Sequence, residues 1–328
     1  MTERVLVAPD AFKGTLSATS VAAAIARGLG ERGVQAERCP VADGGEGTME
    51  ILLGALGGET ISAQSTDALG RAVEARWGLL DDGATAIVEA AQASGLTLIE
   101  PCERDAERAS SAGTGELLLA AKAAGVRRAI VCVGGTATTD GGIGAVEAIE
   151  AAGGLGGMEV DVVCDVLTPF ELAARVFAPQ KGASAAALVR LSERLQRIAE
   201  GLPSDPRGVR MTGAGGGLAG GLWACCGARL RSGADYVLDA LGFDARLARV
   251  DAVVIGEGRL DDQSLGGKVG GTILARAREL EVPVHAIVGS VEVDRADARW
   301  RGLASIQTAG SIPDLIRAGR GLGRQRTG

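Results

Sequence analysis

The sequence is poor in the residues on which several classes of protein depend. Only 2% of its 328 residues are aromatic, and its formal net charge is −7. Nucleic-acid binding usually requires a basic face and stacking aromatic rings, so this composition argues against a nucleic-acid partner. No apolar run reaches the ~18 residues of a membrane span, and no signal peptide precedes the first predicted strand. We therefore expect a cytoplasmic protein that has no membrane partner.

The scarcity of histidine and the positions of the cysteines further restrict the kinds of catalytic and metal site that are possible. The six cysteines show no C-x-x-C spacing, and most lie in apolar runs, as is typical of reduced, buried thiols in a cytosolic protein. His285 is the only histidine and lies within an apolar run of strand length. We interpret it as a core residue with satisfied hydrogen bonds. A single such histidine argues against Ser-His-Asp hydrolysis and against a zinc site.

Lysine is also rare, and asparagine is absent. Four of the 34 basic residues are lysines, and three of these adjoin a glycine: Lys13, Lys181 and Lys268. A compact ammonium group beside a glycine is typical of phosphate sites, because the ligand must approach closely. With so few lysines, chance is the alternative explanation.

Glycine, in contrast, is abundant, with 51 residues distributed between apolar segments, against a usual frequency of ~7%. The stretch from Asp251 to Ala277 is the best example of an apolar run that is followed by a glycine-containing segment. Ala252–Ile255 has the length of a buried strand, a polar loop is expected from Gly256, and a helical pattern follows Lys268. Open α/β sheets bind ligands at such loops. An ordinary turn whose charges face water is the alternative.

The order of these patterns predicts an α/β fold with two domains. Strand–loop–helix units recur at both ends of the chain, whereas Val73–Trp77 and Thr85–Val88, joined by Asp82 and Gly83, predict an antiparallel hairpin in between. We expect residues 1–60 and 245–328 to form a discontinuous, flavodoxin- or Rossmann-like domain with a doubly wound, mostly parallel sheet. Residues 61–244 would form an inserted second α/β domain with Gly-rich loops.

Several local predictions accompany this organisation. Ser17 and Thr114 are expected to cap helices, and the tail from Gly319 to Gly328 is expected to fray. A helix from Ser184 to Glu200 carries an arginine-rich face that we expect to be solvated. Gly215–Gly220 matches G-x-G-x-x-G, but the preceding strand is poor, so close helix packing is the favoured interpretation.

The loop from Gly134 to Gly144 is the best candidate for a phosphate cradle, because glycine-rich main chain can direct N–H groups inward. The loop from Asp43 to Thr48 adds two carboxylates at a helix start, where they either interact with the helix dipole or bind a ligand. No Walker A motif and no protein-kinase motif is present. Phosphoryl transfer requires only charge neutralisation, carboxylate-held Mg²⁺ and an acid that orients the attacking hydroxyl group.

Six segments, in this order, resemble the type 1 family of bacterial glycerate kinases. They are Ala8–Gly14, Val41–Thr48, Gly113–Leu117, Gly134–Gly142, Pro179–Ala183, and Gly256–Asp261 with Gly267–Lys268. The resemblance runs from about Val5 to Ser290. It implies ATP-dependent phosphorylation of D-glycerate, usually at the 2-hydroxyl group, with Mg²⁺, on a two-domain α/β fold with the site in the cleft.

The resemblance and the loop chemistry lead to one set of expected site residues. The expected catalytic residues are Lys13, Asp43, Asp261 and Lys268, and the expected metal ligands are Glu257 and Asp261. The loop that would bind the nucleotide contributes Gly134, Gly135, Thr136, Thr138, Asp140, Gly141 and Gly142. The expected substrate-binding residues are Asp10, Glu46, Lys181 and Arg259. ATP, Mg²⁺ and glycerate are the expected ligands, and a homodimer is left open.

The sequence departs from the family pattern at a few places. Thr136 and Thr139 stand where family members usually have serine and asparagine, and Thr168–Leu172 replaces an Asn-Pro-Leu segment. The segment at Gly153–Gly157 is shortened, and the customary C-terminal helix is mostly missing. A kinase for another small hydroxy acid and a catalytically silent ligand-binding relative are therefore the alternative hypotheses.

Overall fold

A computed structural model of the chain describes residues 3–12, 14–260, 268–292 and 302–323. The strands, numbered in chain order, are β1 (Arg4–Pro9), β2 (Gln35–Arg38), β3 (Gly58–Thr66), β4 (Ala72–Leu80), β5 (Thr85–Glu89), β6 (Arg128–Cys132), β7 (Glu159–Cys164), β8 (Arg229–Ser232), β9 (Ala252–Leu260), β10 (Val284–Val291) and β11 (Leu303–Thr308). The helices are α1 (Ala18–Gly30), α2 (Thr48–Leu56), α3 (Ala91–Ser94), α4 (Ala112–Ala123), α5 (Ile143–Ala151), α6 (Ala173–Phe177), α7 (Ala185–Gly201), α8 (Leu218–Cys226), α9 (Gly233–Ala240), α10 (Phe243–Leu247), α11 (Val269–Glu279) and α12 (Ile312–Leu322). None of the helices in these ranges is long and apolar enough to cross a membrane.

The chain divides into two compact units, one formed by Met1–Asp43 with Ala234–Gly328 and the other by Gly44–Gly233. These division points differ from the predicted boundaries at residues 60 and 245. Helix α2 belongs to the second unit, because it packs on β4 and β5 and its Met49 N–H donates to the Glu89 carboxylate at the end of β5. Helices α9 and α10 belong to the first unit, where Leu238 and Phe243 are in its core.

The first unit is built on a five-stranded parallel sheet with the order β11-β10-β9-β1-β2. Because successive side chains of a strand point to opposite faces, Leu6 and Val253 pack with α9, α10 and α11, whereas Val5 and Val7 pack with α1 and α12. Helices therefore cover both faces, as a doubly wound fold requires. By order of occurrence the strands lie 5-4-3-1-2, the flavodoxin-like order, which confirms the predicted α/β class.

The second unit has a six-stranded mixed sheet with the order β3-β4-β5-β6-β7-β8. Strands β3, β4 and β5 pair antiparallel, so the predicted hairpin is confirmed, and β5 to β8 pair parallel. The main core contains Trp77, Leu117 and Leu218, all at most 1% exposed. A smaller core around Phe170 joins α6 to α7.

Two of the predicted helix ends are wrong, and one is confirmed. Ser17 caps α1 by accepting a hydrogen bond from the Ser20 N–H. Helix α4 begins before Thr114, whose buried hydroxyl group instead bonds the hydroxyl group of Ser94 at 2.9 Å. The predicted tail is helical as far as Leu322, because α12 packs on α1 so closely that a Cβ on Gly319 would lie 2.5 Å from the Ile25 carbonyl oxygen.

The arginine-rich face of α7 is not simply solvated, in contrast to the prediction. Arg190 forms a two-point ion pair with the Glu107 carboxylate, with both distances 2.7 Å, and Arg194 donates to the Glu107 carbonyl oxygen. The face therefore fixes the segment that precedes α4. All six cysteines are free thiols, as expected, but Cys102, Cys225 and Cys226 are not buried.

A buried carboxylate holds the parallel strands of the second unit in register. Asp161 on β7 is fully buried and accepts hydrogen bonds from Arg128 on β6 and from Arg229 and Arg231 on β8. Burial by itself raises the pKa of Asp161, but the hydrogen bonds from Arg229 and Arg128 outweigh it, so the pKa is lowered. The ionised form is therefore the one that stabilises the sheet.

We predict that Asp161→Asn destabilises the protein at neutral pH and that this defect shrinks in acid. A depressed pKa in the folded state contributes stability above the unfolded value of about 3.9 and loses it as the pH falls through the folded value. Urea unfolding between pH 3 and pH 8 measures the difference. Asp205→Asn, which breaks an exposed pair with Arg207, is the control and should change stability little. A defect in Asp161→Asn that is constant with pH would contradict the prediction.

Candidate active site

Three of the predicted acidic residues lie at the carboxyl edge of the five-stranded sheet. Asp10 directly follows β1, and Glu257 is on the neighbouring strand β9. Beyond β2 the chain continues beside β1, since the Val41 N–H donates to the Pro9 carbonyl at 3.0 Å, and Asp43 follows two residues later. Strands β1 and β9 flank the point where the strand order reverses, which is where open α/β sheets bind ligands.

Helix α11 begins beside Glu257. A Cβ on Gly270, in the first turn of this helix, would lie 3.7 Å from Glu257 Oε1. Lys268 occupies the extended position immediately before the helix and is half-buried. The N–H groups of a first helical turn and an ammonium group both favour anions, whereas a carboxylate favours a cation. The arrangement can therefore bind an anionic ligand together with its counter-ion.

The loop expected to begin at Gly256 is instead part of β9, so this prediction is wrong. The strand continues to Leu260 because β10 pairs with its whole length, with Val288 opposite Glu257. Arg259 consequently lies on the strand, is exposed, and is 3.6 Å from the Glu292 carboxylate. Its position at a surface ion pair gives no direct support to the predicted contact with substrate.

Two of the predicted catalytic residues, Lys13 and Asp261, and the predicted motif residue Gly267 lie outside the described residues. What the structure brings together in the first unit is Asp10, Glu257 and the start of α11. Asp10 is 8% exposed and Asp43 is 2% exposed, so both carboxylates are held within the protein.

In the second unit, two glycine-rich loops touch at the carboxyl ends of the parallel strands. A Cβ on Gly134, just after β6, would lie 2.7 Å from the Cα of Gly45. Gly44 has a φ of +89°, and a Cβ there would lie 3.1 Å from the Cα of Gly233. Real Cβ atoms essentially never approach as closely as 2.7 Å, so the contact between Gly134 and Gly45 requires glycine, and the positive φ of Gly44 favours glycine there too. The exposed residue Glu46 follows, and its Cδ would lie 3.2 Å from a Cβ on Gly135.

The far end of the Gly134–Gly144 loop is packed inside the protein. The Asp140 carboxylate accepts hydrogen bonds from the N–H and hydroxyl groups of Ser111, both at 2.8 Å, and from the N–H of Gly144. A Cβ on Gly141 would lie 2.9 Å from the ring of Phe170, and one on Gly142 would lie 2.9 Å from the main chain of α8. Asp140, Gly141 and Gly142 are therefore held by internal contacts, and their predicted role in binding the nucleotide stays a prediction.

The same packing explains the neighbouring glycine cluster. A Cβ on Gly217 would lie 2.7 Å from the Cα of Gly141, and a Cβ on Gly221 would lie 2.5 Å from the Gly141 carbonyl oxygen. The predicted role of this cluster in close helix packing is confirmed. Of the seven predicted nucleotide-binding residues, Gly134 and Gly135 are the two that are not buried.

Lys181 is placed against this loop. It ends a turn of 3₁₀ helix at Pro179–Lys181, is 3% exposed, and donates to the Thr138 carbonyl oxygen at 2.5 Å. Its ammonium group is also 3.5 Å from the Thr136 hydroxyl oxygen. The predicted substrate-binding lysine thus contacts the loop that is the candidate for binding the nucleotide.

Glu89 is a candidate site residue that sequence reasoning missed. It ends β5, is 4% exposed, and accepts a hydrogen bond of 2.9 Å from the Met49 N–H in the first turn of α2. Gly47, the residue before α2, has no side chain that could cap the helix, so Glu89 caps it from another strand. Burial, the largest influence, raises the pKa of Glu89 despite these hydrogen bonds. The only signal in the sequence was an acid at the end of a buried apolar strand.

Glu89 also borders a surface cleft of about 630 Å³ within the second unit. Among the described residues this cleft is lined by Glu46, Gly47, Met49, Glu50, Leu53, Gly54, Gly58, Thr60, Arg76, Glu89 and Gln92. The carboxyl groups of Glu46, Glu50 and Glu89 and the guanidinium group of Arg76 therefore border the same cleft.

The strand order, the acids at the switch point and the glycine-lined loops define a ligand-binding enzyme of the α/β class. Comparison with known proteins specifies the family: the glycerate kinase family model matches residues 5–156 and 150–317. The chain therefore belongs to the glycerate kinase family, which confirms the resemblance seen in the sequence.

Individual relatives match over nearly their whole lengths. The glycerate 2-kinase of Escherichia coli K12 is 38% identical over 97% of this chain and 93% of its own length, and the glycerate kinase of Bacillus subtilis 168 is 36% identical over 94% and 91%. A crystal structure assigned as glycerate kinase 2 from Salmonella typhimurium LT2 superimposes with a TM-score of 0.81 at 34% identity and covers 99% of this chain and 98% of its own.

We predict that Glu89→Gln becomes more stable relative to the wild type as the pH rises from 4 to 8. A raised pKa in the folded state means that Glu89 contributes stability fully below the unfolded value of about 4.3, and this stability is lost as the pH rises through the folded value. Glutamine stays neutral and can still accept from the Met49 N–H. Thermal unfolding across this range tests the sign.

The control for this experiment is Glu50→Gln, which removes an exposed carboxylate from the same cleft and should leave the pH dependence of stability almost unchanged. A stability difference between Glu89→Gln and the wild type that falls with rising pH would show that the helix N–H groups, and not burial, dominate the pKa of Glu89.

Proposed function

We propose that this protein is a glycerate kinase that transfers the γ-phosphoryl group of ATP to the 2-hydroxyl group of D-glycerate in the presence of Mg²⁺. The main support is its membership of the glycerate kinase family along most of the chain. The relatives named glycerate kinase, including the one named 2-kinase, support the substrate and the hydroxyl group. The acids at the sheet edge and the glycine-rich loop support the chemistry.

We assign the nucleotide phosphates to the start of the Gly134–Gly144 loop. Gly135 is exposed and has a φ of +72°, a conformation in which successive main-chain N–H groups can converge on an anion. Thr136 and Thr138 follow this glycine, and both side chains are buried. Rigid donors suit phosphoryl transfer, because catalysis there depends mainly on positioning and on charge stabilisation.

Glu257 is the described residue that best fits Mg²⁺. Mg²⁺ prefers oxygen ligands and is usually held by one or two carboxylates together with substrate phosphates. Asp261, the second proposed ligand, lies outside the described residues. When bound, the ion neutralises the charge that develops on the phosphates.

The glycerate carboxylate requires a cation, and the reacting hydroxyl group requires a base. Lys268, beside the positive end of α11, is the described cation that we assign to an anionic group of the substrate or of the nucleotide. Asp43 and Asp10 are the buried acids at the same sheet edge, and we assign Asp43 to orienting or deprotonating the hydroxyl group. Asp10 and Glu46 are assigned to hydrogen bonds with substrate hydroxyl groups.

The direct test is ADP production from ATP, Mg²⁺ and D-glycerate, followed by phosphorus NMR of the product. We expect ADP release that depends on both glycerate and Mg²⁺, with the product identified as 2-phosphoglycerate. Formation of 3-phosphoglycerate would overturn the assignment of the hydroxyl group. Thermal stabilisation by ATP or glycerate without any ADP release would instead identify a catalytically silent relative.

A parallel screen of short hydroxy acids tests the choice of acceptor. The altered segment Thr168–Leu172 was the reason to consider another acceptor, but its Phe170 is fully buried against Gly141 and Gly220. The phenylalanine at this position therefore contributes to the packing of the described residues. We expect D-glycerate to have the highest kcat/KM, and a higher value for another acid would contradict this expectation.

We predict that Lys268→Ala lowers kcat/KM by about a hundredfold or more, the usual scale for removing a positioned charge from a site of this kind. The side chain is half-buried and makes no contribution to either large core, so the melting temperature should change little. Lys122→Ala is the control, because Lys122 donates to the Gly154 carbonyl in a turn of the second unit. Activity of Lys268→Ala equal to that of the control would refute the role of Lys268.

A further inference from the structure

Lys181 is an ammonium group buried without an ion-pair partner among the described residues. It is 3% exposed, and its contacts are the carbonyl oxygen of Thr138 and the hydroxyl oxygen of Thr136. Burial lowers its pKa to about 7, although the charge of Asp140 raises it. Burying a cation is unfavourable unless it is paired, and a methionine would fill the same space without that cost. Packing alone therefore does not account for this side chain.

Both contacts of Lys181 are to the short segment that we assign to the nucleotide. The bond of 2.5 Å to Thr138 restrains the main chain of this segment, and the Thr138 hydroxyl group is bonded to the Gly215 carbonyl on the other side. Asp140 is fixed separately through Ser111. Without Lys181, the segment from Thr136 to Thr138 would lose the hydrogen bond that holds the Thr138 carbonyl, whereas the Ala137 N–H would keep its bond to the Ser94 carbonyl.

The charge of Lys181 also orients the Thr136 hydroxyl group. An ammonium group can only donate hydrogen bonds, so the oxygen of Thr136 turns toward it and the hydroxyl hydrogen turns away. Thr136 is two residues from Gly134, where the two glycine loops meet. A hydroxyl hydrogen aimed away from the buried lysine can donate to a phosphate oxygen.

We propose that Lys181 is a positioning residue for nucleotide binding: it holds the Thr136–Thr138 segment through the Thr138 carbonyl and turns the Thr136 hydroxyl hydrogen toward a phosphate oxygen. This inference rests on the proposed function, in which that loop binds ATP. It gives Lys181 a different role from the one predicted from the sequence, which was direct contact with the substrate.

The first test is steady-state kinetics of Lys181→Met with ATP and D-glycerate varied separately. We expect the KM for ATP and the Kd for ADP, measured by calorimetry on the full chain, to rise about tenfold or more, the scale of one charge-assisted hydrogen bond. The KM for glycerate should stay within about twofold. A rise in the KM for glycerate alone would restore direct substrate binding and overturn the proposal.

Lys122→Met is the matched control, because Lys122 also donates to a main-chain carbonyl, that of Gly154, at 2.6 Å. It should leave the KM for ATP unchanged. Equal nucleotide defects in the two variants would show a general effect of losing a lysine and would refute the positioning role. If Lys181→Met does not fold, Lys181→Gln, which keeps a donor for Thr138 but loses the charge, makes the same comparison.

The second test asks whether Lys181 acts through Thr136. Thr136→Val should weaken ADP binding, whereas Thr136→Ser, which keeps the hydroxyl group, should bind ADP like the wild type. In the double variant Lys181→Met with Thr136→Val, the two effects should be clearly less than additive, because the same donated hydrogen bond is lost in both. Full additivity would overturn the proposal. A wild-type protein that binds no ADP would instead mean that the proposed function itself has failed.

Discussion

Direct contact between glycine main chains is the constraint on which the candidate site of the second unit depends. Gly45 and Gly134 approach within a distance that no Cβ could occupy, so the loop before α2 and the loop after β6 have a fixed relation. Gly141 packs against Phe170 and the start of α8 under the same restriction. The abundance of glycine in this chain is thus a consequence of close packing as much as of ligand binding. A loop whose buried side is rigidly packed can present the N–H groups of its exposed side to a ligand without reorganisation.

Buried ionisable groups form the second layer of this arrangement, and the protein accommodates each in a different way. Asp161 accepts hydrogen bonds from three arginines, and its pKa is lowered although it is buried on β7. Glu89 accepts a hydrogen bond from the Met49 N–H and has a raised pKa because it is buried. Lys181 has a carbonyl oxygen, a hydroxyl oxygen and no ion-pair partner among the described residues. The two groups that are less completely compensated, Glu89 and Lys181, are the ones next to the glycine loops, as is common at functional sites.

Most of the fold could be predicted from the sequence because its signals are local. Apolar runs of strand length, the serine before α1 and the hairpin turn at Asp82 and Gly83 specify elements through interactions between near neighbours. The wrong predictions concern elements whose bounds depend on contacts with residues far away in the chain. Strand β9 extends through two glycines because β10 pairs with it, and α2 joins the second unit because Glu89 caps it from β5. The end of α12 is helical because α1 covers it.

The sequence by itself determined the α/β class, the family and the loops that carry glycines, lysines and acids, since these follow from composition and from motifs in a fixed order. The tertiary structure decided which of those residues are buried in internal contacts and which stay accessible. Asp140 and Gly142 belong to a motif that resembles a phosphate-binding loop, yet both are engaged in internal hydrogen bonds and packing. Glu89 belongs to no motif, yet from the end of β5 it accepts a hydrogen bond from the first turn of α2. The physical reason is that hydrogen bonds and desolvation depend on neighbours in space, and such neighbours can be tens of residues apart in the chain.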